Sequence, residues 1–161
     1  MQTRILEVKE FSVIGIEART NNARETTDSG VIPRQWSKFF AEGILAKIPN
    51  KVDPTLYAVY TDYVSDRNGD YSYIIGANVS DTADIPPGMV AKKVPAGKYP
   101  VVTSARGPVR SVVPQTWQQV WRLEDKSQLG GARAYKADFE VYDQRGRDPQ
   151  DSQNDIFVGI K

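Results

Sequence analysis

The chain has 161 residues, 40% hydrophobic and 25% charged, with 21 Lys and Arg against 20 Asp and Glu for a formal charge of +1. That length suits one medium domain or two small halves sharing a core, and the charge balance argues for neither nucleic acid nor an anionic membrane as partner. Cysteine and histidine are both absent, which removes disulfides, thiolate nucleophiles, Cys/His zinc sites, His-ligated haem and every Ser-His or Cys-His catalytic arrangement.

No apolar run is long enough to span a membrane, and Met1-Gln2-Thr3-Arg4 does not open a signal peptide, so a cytoplasmic chain is expected, with no cofactor. In chain order, Leu6 to Ala18 reads as extended and Asn21 to Gly30 as a polar loop. Val31-Ile32-Pro33 opens a helix whose apolar stripe is Trp36, Phe39, Phe40 and Ile44, and Pro49 stops it. Two β-rich runs follow, Thr55 to Val64 and Tyr71 to Val79, joined at Asn68-Gly69, a strong hairpin signal. After the connector at Asp84 to Gly88 the order repeats. Val90 to Thr103 is extended, Val113-Pro114 opens a helix bearing Trp117, Val120 and Trp121, and strands run over Ala134 to Tyr142 and Ile156 to Ile160.

The two halves align. Pro33-x-x-Trp36-x-x-Phe39-Phe40 falls on Pro114-x-x-Trp117-x-x-Val120-Trp121 at a displacement of 81 positions, and Leu56 to Tyr60 falls on Asp138 to Tyr142 at 82. Ile74-Ile75 falls on Ile156-Phe157 at the same 82. The pattern is a duplicated strand-helix-strand-strand unit, with repeats at about 1–82 and 88–161 in a single α+β domain. The expected architecture is antiparallel sheets, two main helices and a pseudo-two-fold relation.

Alternation along the strands gives a candidate site. Tyr135, Ala137, Phe139 and Val141 form a wholly apolar face, expected to pack under the Trp-bearing helices, as do Tyr57 and Val59. The opposite faces, expected to be free of helices, carry Asp138, Glu140 and Tyr142 in one half and Ala58 and Tyr60 in the other. A carboxylate between two tyrosines costs several kcal/mol to bury unless it is paired or hydrogen-bonded. It either bonds to a neighbouring Tyr, Lys or Arg, sits in water at a rim, or awaits a cation, with the rings supplying cation–π surface. Asp138 is exposed or paired with Lys136, or it forms with Glu140 a two-carboxylate arrangement suited to acid–base chemistry. Trp117 and Trp121 read first as core residues, with an edge available to a pocket. The acids around Asp66, Asp70 and Asp143 to Asp155 lack EF-hand spacing and read as solvated turns, so no metal is expected.

Seven stretches, Phe11-Ser-Val-Ile-Gly-Ile, Pro33-x-x-Trp36-x-x-Phe39, Tyr57-Ala-Val-Tyr60-Thr, Ile74-Ile75-Gly76, Val94-Pro-Ala-Gly-Lys-Tyr99, Trp117-x-x-Val-Trp121 and Ala137-Asp-Phe-Glu-Val-Tyr142, resemble in order and spacing the gyrase-inhibitory-protein-like family. That family also supplies the effector-binding domain of AraC- and MerR-type bacterial regulators. The resemblance implies a ligand pocket between the halves, for small organic, often cationic and aromatic molecules. Its buried acid carries over onto Glu140 and its pocket aromatics onto Tyr142, Tyr60 and Tyr99, with Trp117 and Trp121 nearby. The first strand begins within a few residues of Met1 and the sequence ends at Lys161, right after its last strand, so a stand-alone member without a DNA-binding region, and no direct nucleic-acid contact, is expected. Two other readings stay open: a hydrolase using the same acid and tyrosines to activate water, and a topoisomerase-inhibiting interaction protein whose protein partner is unidentified.

Overall fold

A computed structural model describes residues 3–161, so Met1-Gln2 lie outside the described residues. These residues form, in order, β1 (Thr3–Val8), β2 (Phe11–Thr20), α1 (Asn22–Glu25), α2 (Ile32–Ala41), α3 (Ile44–Lys47), β3 (Leu56–Thr61) and β4 (Tyr71–Val79). They continue with β5 (Val90–Val94), β6 (Gly97–Thr103), α4 (Val109–Asp125), β7 (Arg133–Tyr142), a 3-10 turn at Gln144–Gly146, and β8 (Asp155–Ile160). The fold is α+β. No helix among the described residues is long and apolar enough to cross a membrane.

The eight strands join one antiparallel sheet in the order β1-β6-β8-β7-β3-β4-β2-β5. The sheets of the two units merge because β3 and β7 pair directly at its centre. On one side of that pair lie β4 and β2, on the other β8 and β6, with β2-α2-β3-β4 repeated as β6-α4-β7-β8. The register locates the axis. Ala58 pairs with Glu140, its own equivalent at a displacement of 82, while Leu56 pairs with Tyr142 and Tyr60 with Asp138. A pseudo-two-fold axis therefore passes through the Ala58/Glu140 pair.

The outer strands are exchanged between the repeats. β1 pairs with β6 of the second unit, and β5 with β2 of the first. Lys9-Glu10 thus separates two strands at nearly opposite ends of the sheet, which curls to bring those ends together. Inside the curl lies a core of Val13, Val59, Ile74, Val94, Tyr99, Ala137 and Phe139, joined by Val8 from β1 and Phe11 from β2. Gly15 pairs with Gly76 in this region, and a Cβ on either would lie 2.0 Å from a carbonyl oxygen of the facing strand. The strands approach that closely only because both residues are glycine.

The helices cover the other face, α2 over β2 and β4 and α4 over β6. A second core there holds Ile14, Phe39, Tyr60, Tyr73, Ile75, Trp117, Val120, Ile156 and Val158. This reverses the expected assignment of faces. The all-apolar set Ala137, Phe139 and Val141, with Tyr57 and Val59, points into the curl, and Tyr60, Glu140 and Tyr142 lie under the helices. Both faces of the central strands are covered, so apolarity alone does not distinguish them.

Element ends shift for local reasons. Asn21 caps α1, accepting from the Arg24 backbone N–H at 2.8 Å, inside the stretch read as loop. Val31 offers α2 no side-chain cap, and the Glu25 carboxylate takes that place, accepting from the Val31 and Ile32 N–H groups at 2.9 and 3.0 Å. Gly43, at φ 60°, breaks the expected single helix into α2 and α3. The α4 helix starts before its proline, with Pro114 inside it. Extended Val90–Thr103 divides into β5 and β6 around Pro95-Ala96.

Candidate functional site

Strand β7 enters the centre of the sheet through a bulge. Its pairing with β8 shifts register between Arg133 and Asp138, and Tyr135 adopts φ 53°. Beyond the bulge the strand is regular and sets Asp138, Glu140 and Tyr142 on the helix face.

Glu140 is 1% exposed. Three neutral groups donate to its carboxylate: Tyr60 Oη to Oε2 at 2.6 Å, Trp117 Nε1 to Oε2 at 2.7 Å, and Tyr142 Oη to Oε1 at 2.5 Å. Tyr60 comes from β3, Trp117 from α4 and Tyr142 from β7, so both repeats close on one acid. No Lys or Arg forms an ion pair with it among the described residues. Burial pushes its pKa above the ordinary carboxylate value, opposed by the hydrogen bonds from Tyr142, Tyr60 and Trp117. Tyr60, Tyr73 and Tyr142 are held well above the ordinary phenol value, by burial first and then by the charge of Glu140. These phenols stay protonated.

The surrounding rings obey the pseudo-dyad. Tyr60 and Trp117 meet edge-on with centroids 5.0 Å apart and planes at 64°. Their equivalents, Tyr142 and Trp36, meet at 5.0 Å and 68°. The polar contacts break the symmetry. Trp117 donates to Glu140, but Trp36, with Ala58 in the equivalent place, donates to Tyr73 Oη at 2.8 Å. Trp36 and Tyr142 are only half-buried, and Phe40, 65% exposed, stacks on Trp36 at 5.8 Å. In this conformation the acid is closed off, with Trp36 and Tyr142 the half-buried rings at the edge of its surroundings.

Asp138 is neither exposed nor paired with Lys136. It is 0% exposed, accepting from Arg133 Nη2 at 2.6 Å, Tyr63 Oη at 2.5 Å and the Gly159 N–H at 2.8 Å. The bulge makes this possible by letting Arg133 fold back along its own strand. Asp138 thus has its own set of donors, separate from the three that hold Glu140.

Two other candidates stand apart. Tyr99 lies inside the curl, packed on Phe139 with centroids 5.4 Å apart, its hydroxyl on the Pro95 carbonyl at 2.7 Å. It is thus on the opposite face from Glu140, because β6 pairs β8 with that side inward. Trp121 borders the helix-side core, its ring under Arg67 at 5.9 Å, and makes no contact with the carboxylate. Trp36 and Tyr73, which the motif reading left out of the site, belong to it. The alignment of Trp36 with Trp117 carried the signal for the former. No group of three or more Asp, Glu, Cys or His suited to a metal occurs among the described residues.

Known proteins share this architecture. Residues 4–160 match the Cass2 family, described as integron-associated effector binding protein. YobU of Bacillus subtilis (strain 168), which carries a transcriptional-regulator name, is 35% identical over 158 residues, 97% of this chain and 94% of its own. The transcriptional regulator BrlR of Pseudomonas aeruginosa is 32% identical over 166 residues; the match takes in 99% of this chain and 56% of BrlR. The Vibrio cholerae integron cassette protein superposes with a TM-score of 0.78 at 28% identity, covering 99% and 95% of the two chains. SAV2435, solved bound to tetraphenylphosphonium, shares the fold at a TM-score of 0.80 and 19% identity, over 100% and 94% of the two chains. By the match over nearly its whole length, the chain belongs to the Cass2 family of integron-associated effector binding proteins.

Proposed function

We propose that the chain binds hydrophobic organic cations, with Glu140 as counter-ion and Tyr60, Tyr142, Trp36 and Trp117 as the surrounding walls. The observation that carries this reading is a fully buried carboxylate held by three neutral donors. Neutral donors orient the carboxylate without cancelling its charge, and a desolvated charge of that kind gains most from an incoming cation. Tyrosine and tryptophan faces add cation–π attraction. The cation bound by SAV2435 and the effector-binding description of the family support the same class of ligand.

The two repeats act as one binding unit, since the first supplies Tyr60 and Trp36 and the second Glu140, Tyr142 and Trp117. The site is read as a binder rather than a hydrolase using the same acid and tyrosines, a reading that the family's effector-binding description supports.

Titration of a cationic rhodamine-type dye into wild type and Glu140→Gln tests the reading. The variant keeps the fold and loses at least tenfold in affinity, about 1.4 kcal/mol or more. An unchanged dissociation constant would remove Glu140 from the function.

A further inference from the structure

We infer that Arg133 is a positioning residue for the site: its guanidinium, tied to Asp138, braces the Trp117 indole so that Nε1–H stays aimed at Glu140. The inference adds a residue to the proposed binding site and rests on Glu140 as its charged group. Arg133 is 5% exposed, and its Nη2 donates to Asp138 at 2.6 Å. Its Nε is buried with no hydrogen-bond partner among the described residues. The flat cation lies instead against two rings, 4.3 Å from the Tyr135 centroid and 5.9 Å from that of Trp117. An arginine that leaves a buried N–H unpaired to face aromatic rings is placed for stacking and not for hydrogen bonding alone.

The pseudo-dyad shows what the guanidinium replaces. Trp36, the equivalent of Trp117, is braced by Phe40, which stacks on it at 5.8 Å and is itself 65% exposed. In the second repeat Trp121, the equivalent of Phe40, lies under Arg67. Arg133 stands over Trp117, which is 8% exposed and donates to Glu140 Oε2 at 2.7 Å. Asp138 holds Arg133, Arg133 holds the indole, and the indole orients the carboxylate. Among the described residues the titratable groups facing Glu140 are phenols: Tyr60 from β3, Tyr71 and Tyr73 from β4, and Tyr142 from β7. Arg133 forms its ion pairs with Asp138 and Glu124, not with Glu140, so its effect on the acid runs through Trp117.

NMR of the ligand-free protein tests this, following the indole N–H signals and the Glu140 carboxyl carbon from pH 4 upward. Trp117→Phe identifies the Trp117 signal among the three tryptophans. In wild type the Trp117 N–H titrates with Glu140. Exchanging the pair, Arg133→Met with Asp138→Asn, removes both charges and loosens the indole. The Trp117 signal moves, and the Glu140 midpoint rises by about one pH unit, as for weakening one hydrogen bond to a charged group. On a Trp117→Phe background the same exchange adds no shift. Should the exchanged pair not fold, Arg133→Lys, which keeps the charge but not the flat face, carries the test with a smaller shift in the same direction. An unmoved midpoint and indole signal overturn the inference, as does an equal shift with and without Trp117. No ligand enters these measurements, so they stand or fall separately from cation binding, which the dye titration of Glu140→Gln decides.

Discussion

Arg133 donates to Asp138 at 2.6 Å in an ion pair that is wholly buried, two residues along β7 from a glutamate with no such partner. The two acids share a strand and a sheet face, yet they differ in what the protein has done with their charge. Breaking a buried pair leaves the surviving ion uncompensated, whereas removing both charges together costs far less. Arg133→Met should therefore lose about 3–5 kcal/mol in urea denaturation, and Arg133→Met with Asp138→Asn should recover much of it. A double variant no more stable than the single one would mean that Arg133 acts by packing its stem and not by its charge.

Glu140 gives two pH dependences of opposite slope. Its folded pKa is raised by burial above the ordinary 4.5, so the protein without ligand is stabilised by it below that value and loses the contribution as pH rises through the folded pKa. The stability of wild type relative to Glu140→Gln should fall over that window. Affinity for a monovalent dye should rise over the same window, because the cation needs the ionised form. Chemical denaturation and dye titration from pH 4 upward test both, and a dye affinity that is flat with pH would exclude titration of Glu140 from binding.

Trp117→Phe and Trp36→Phe form a matched comparison, since the two residues are equivalents with different hydrogen-bond partners. The first removes a donor to the carboxylate, and the second removes a donor to Tyr73. A hydrogen bond to a charged group contributes about 1.5–3 kcal/mol and a neutral one about 1 kcal/mol. Trp117→Phe should move the pH midpoint of dye binding upward, and Trp36→Phe should leave it in place. The same shift in both variants would show that the tryptophans act through ring packing.

Gly76→Ala should destabilise by more than the usual surface substitution, because its Cβ would lie 2.0 Å from the Ile14 carbonyl oxygen and the β2–β4 ladder must open. Backbone amide exchange at Ile14, Gly15 and Ile16 reads that opening directly.

The repeat, both principal helices, the Asn68-Gly69 hairpin and the singular position of Glu140 were legible in the sequence, since each rests on local chemistry or on a fixed displacement. Which face the helices cover was not. Phe139 and Val141 look like the core side of an ordinary half-buried sheet, but the curl buries them against Tyr99 and Phe11, leaving the mixed face for α2 and α4. Tyr99, which the resemblance set beside Glu140, lies with Phe139 inside the curl. The tie between Asp138 and Arg133 was equally hidden, because it depends on a bulge that brings a residue five positions back against its own strand. The break at Lys9-Glu10 also has no local mark of the distance it spans.

The exchange of outer strands bears on how the chain comes together during synthesis. Thr3 finds its ladder partner in Val102, so β1 has no place to lie until β6 has emerged. The first repeat likewise lacks its outer strand until β5 is present to cover β2. Neither half is a self-sufficient folding unit, and the ring of tyrosines and tryptophans around Glu140 takes shape only once most of the polypeptide exists. Pairing at such sequence separation is slow to nucleate, and the exposed edge of β2 is the surface most in need of protection while the ribosome is still at work.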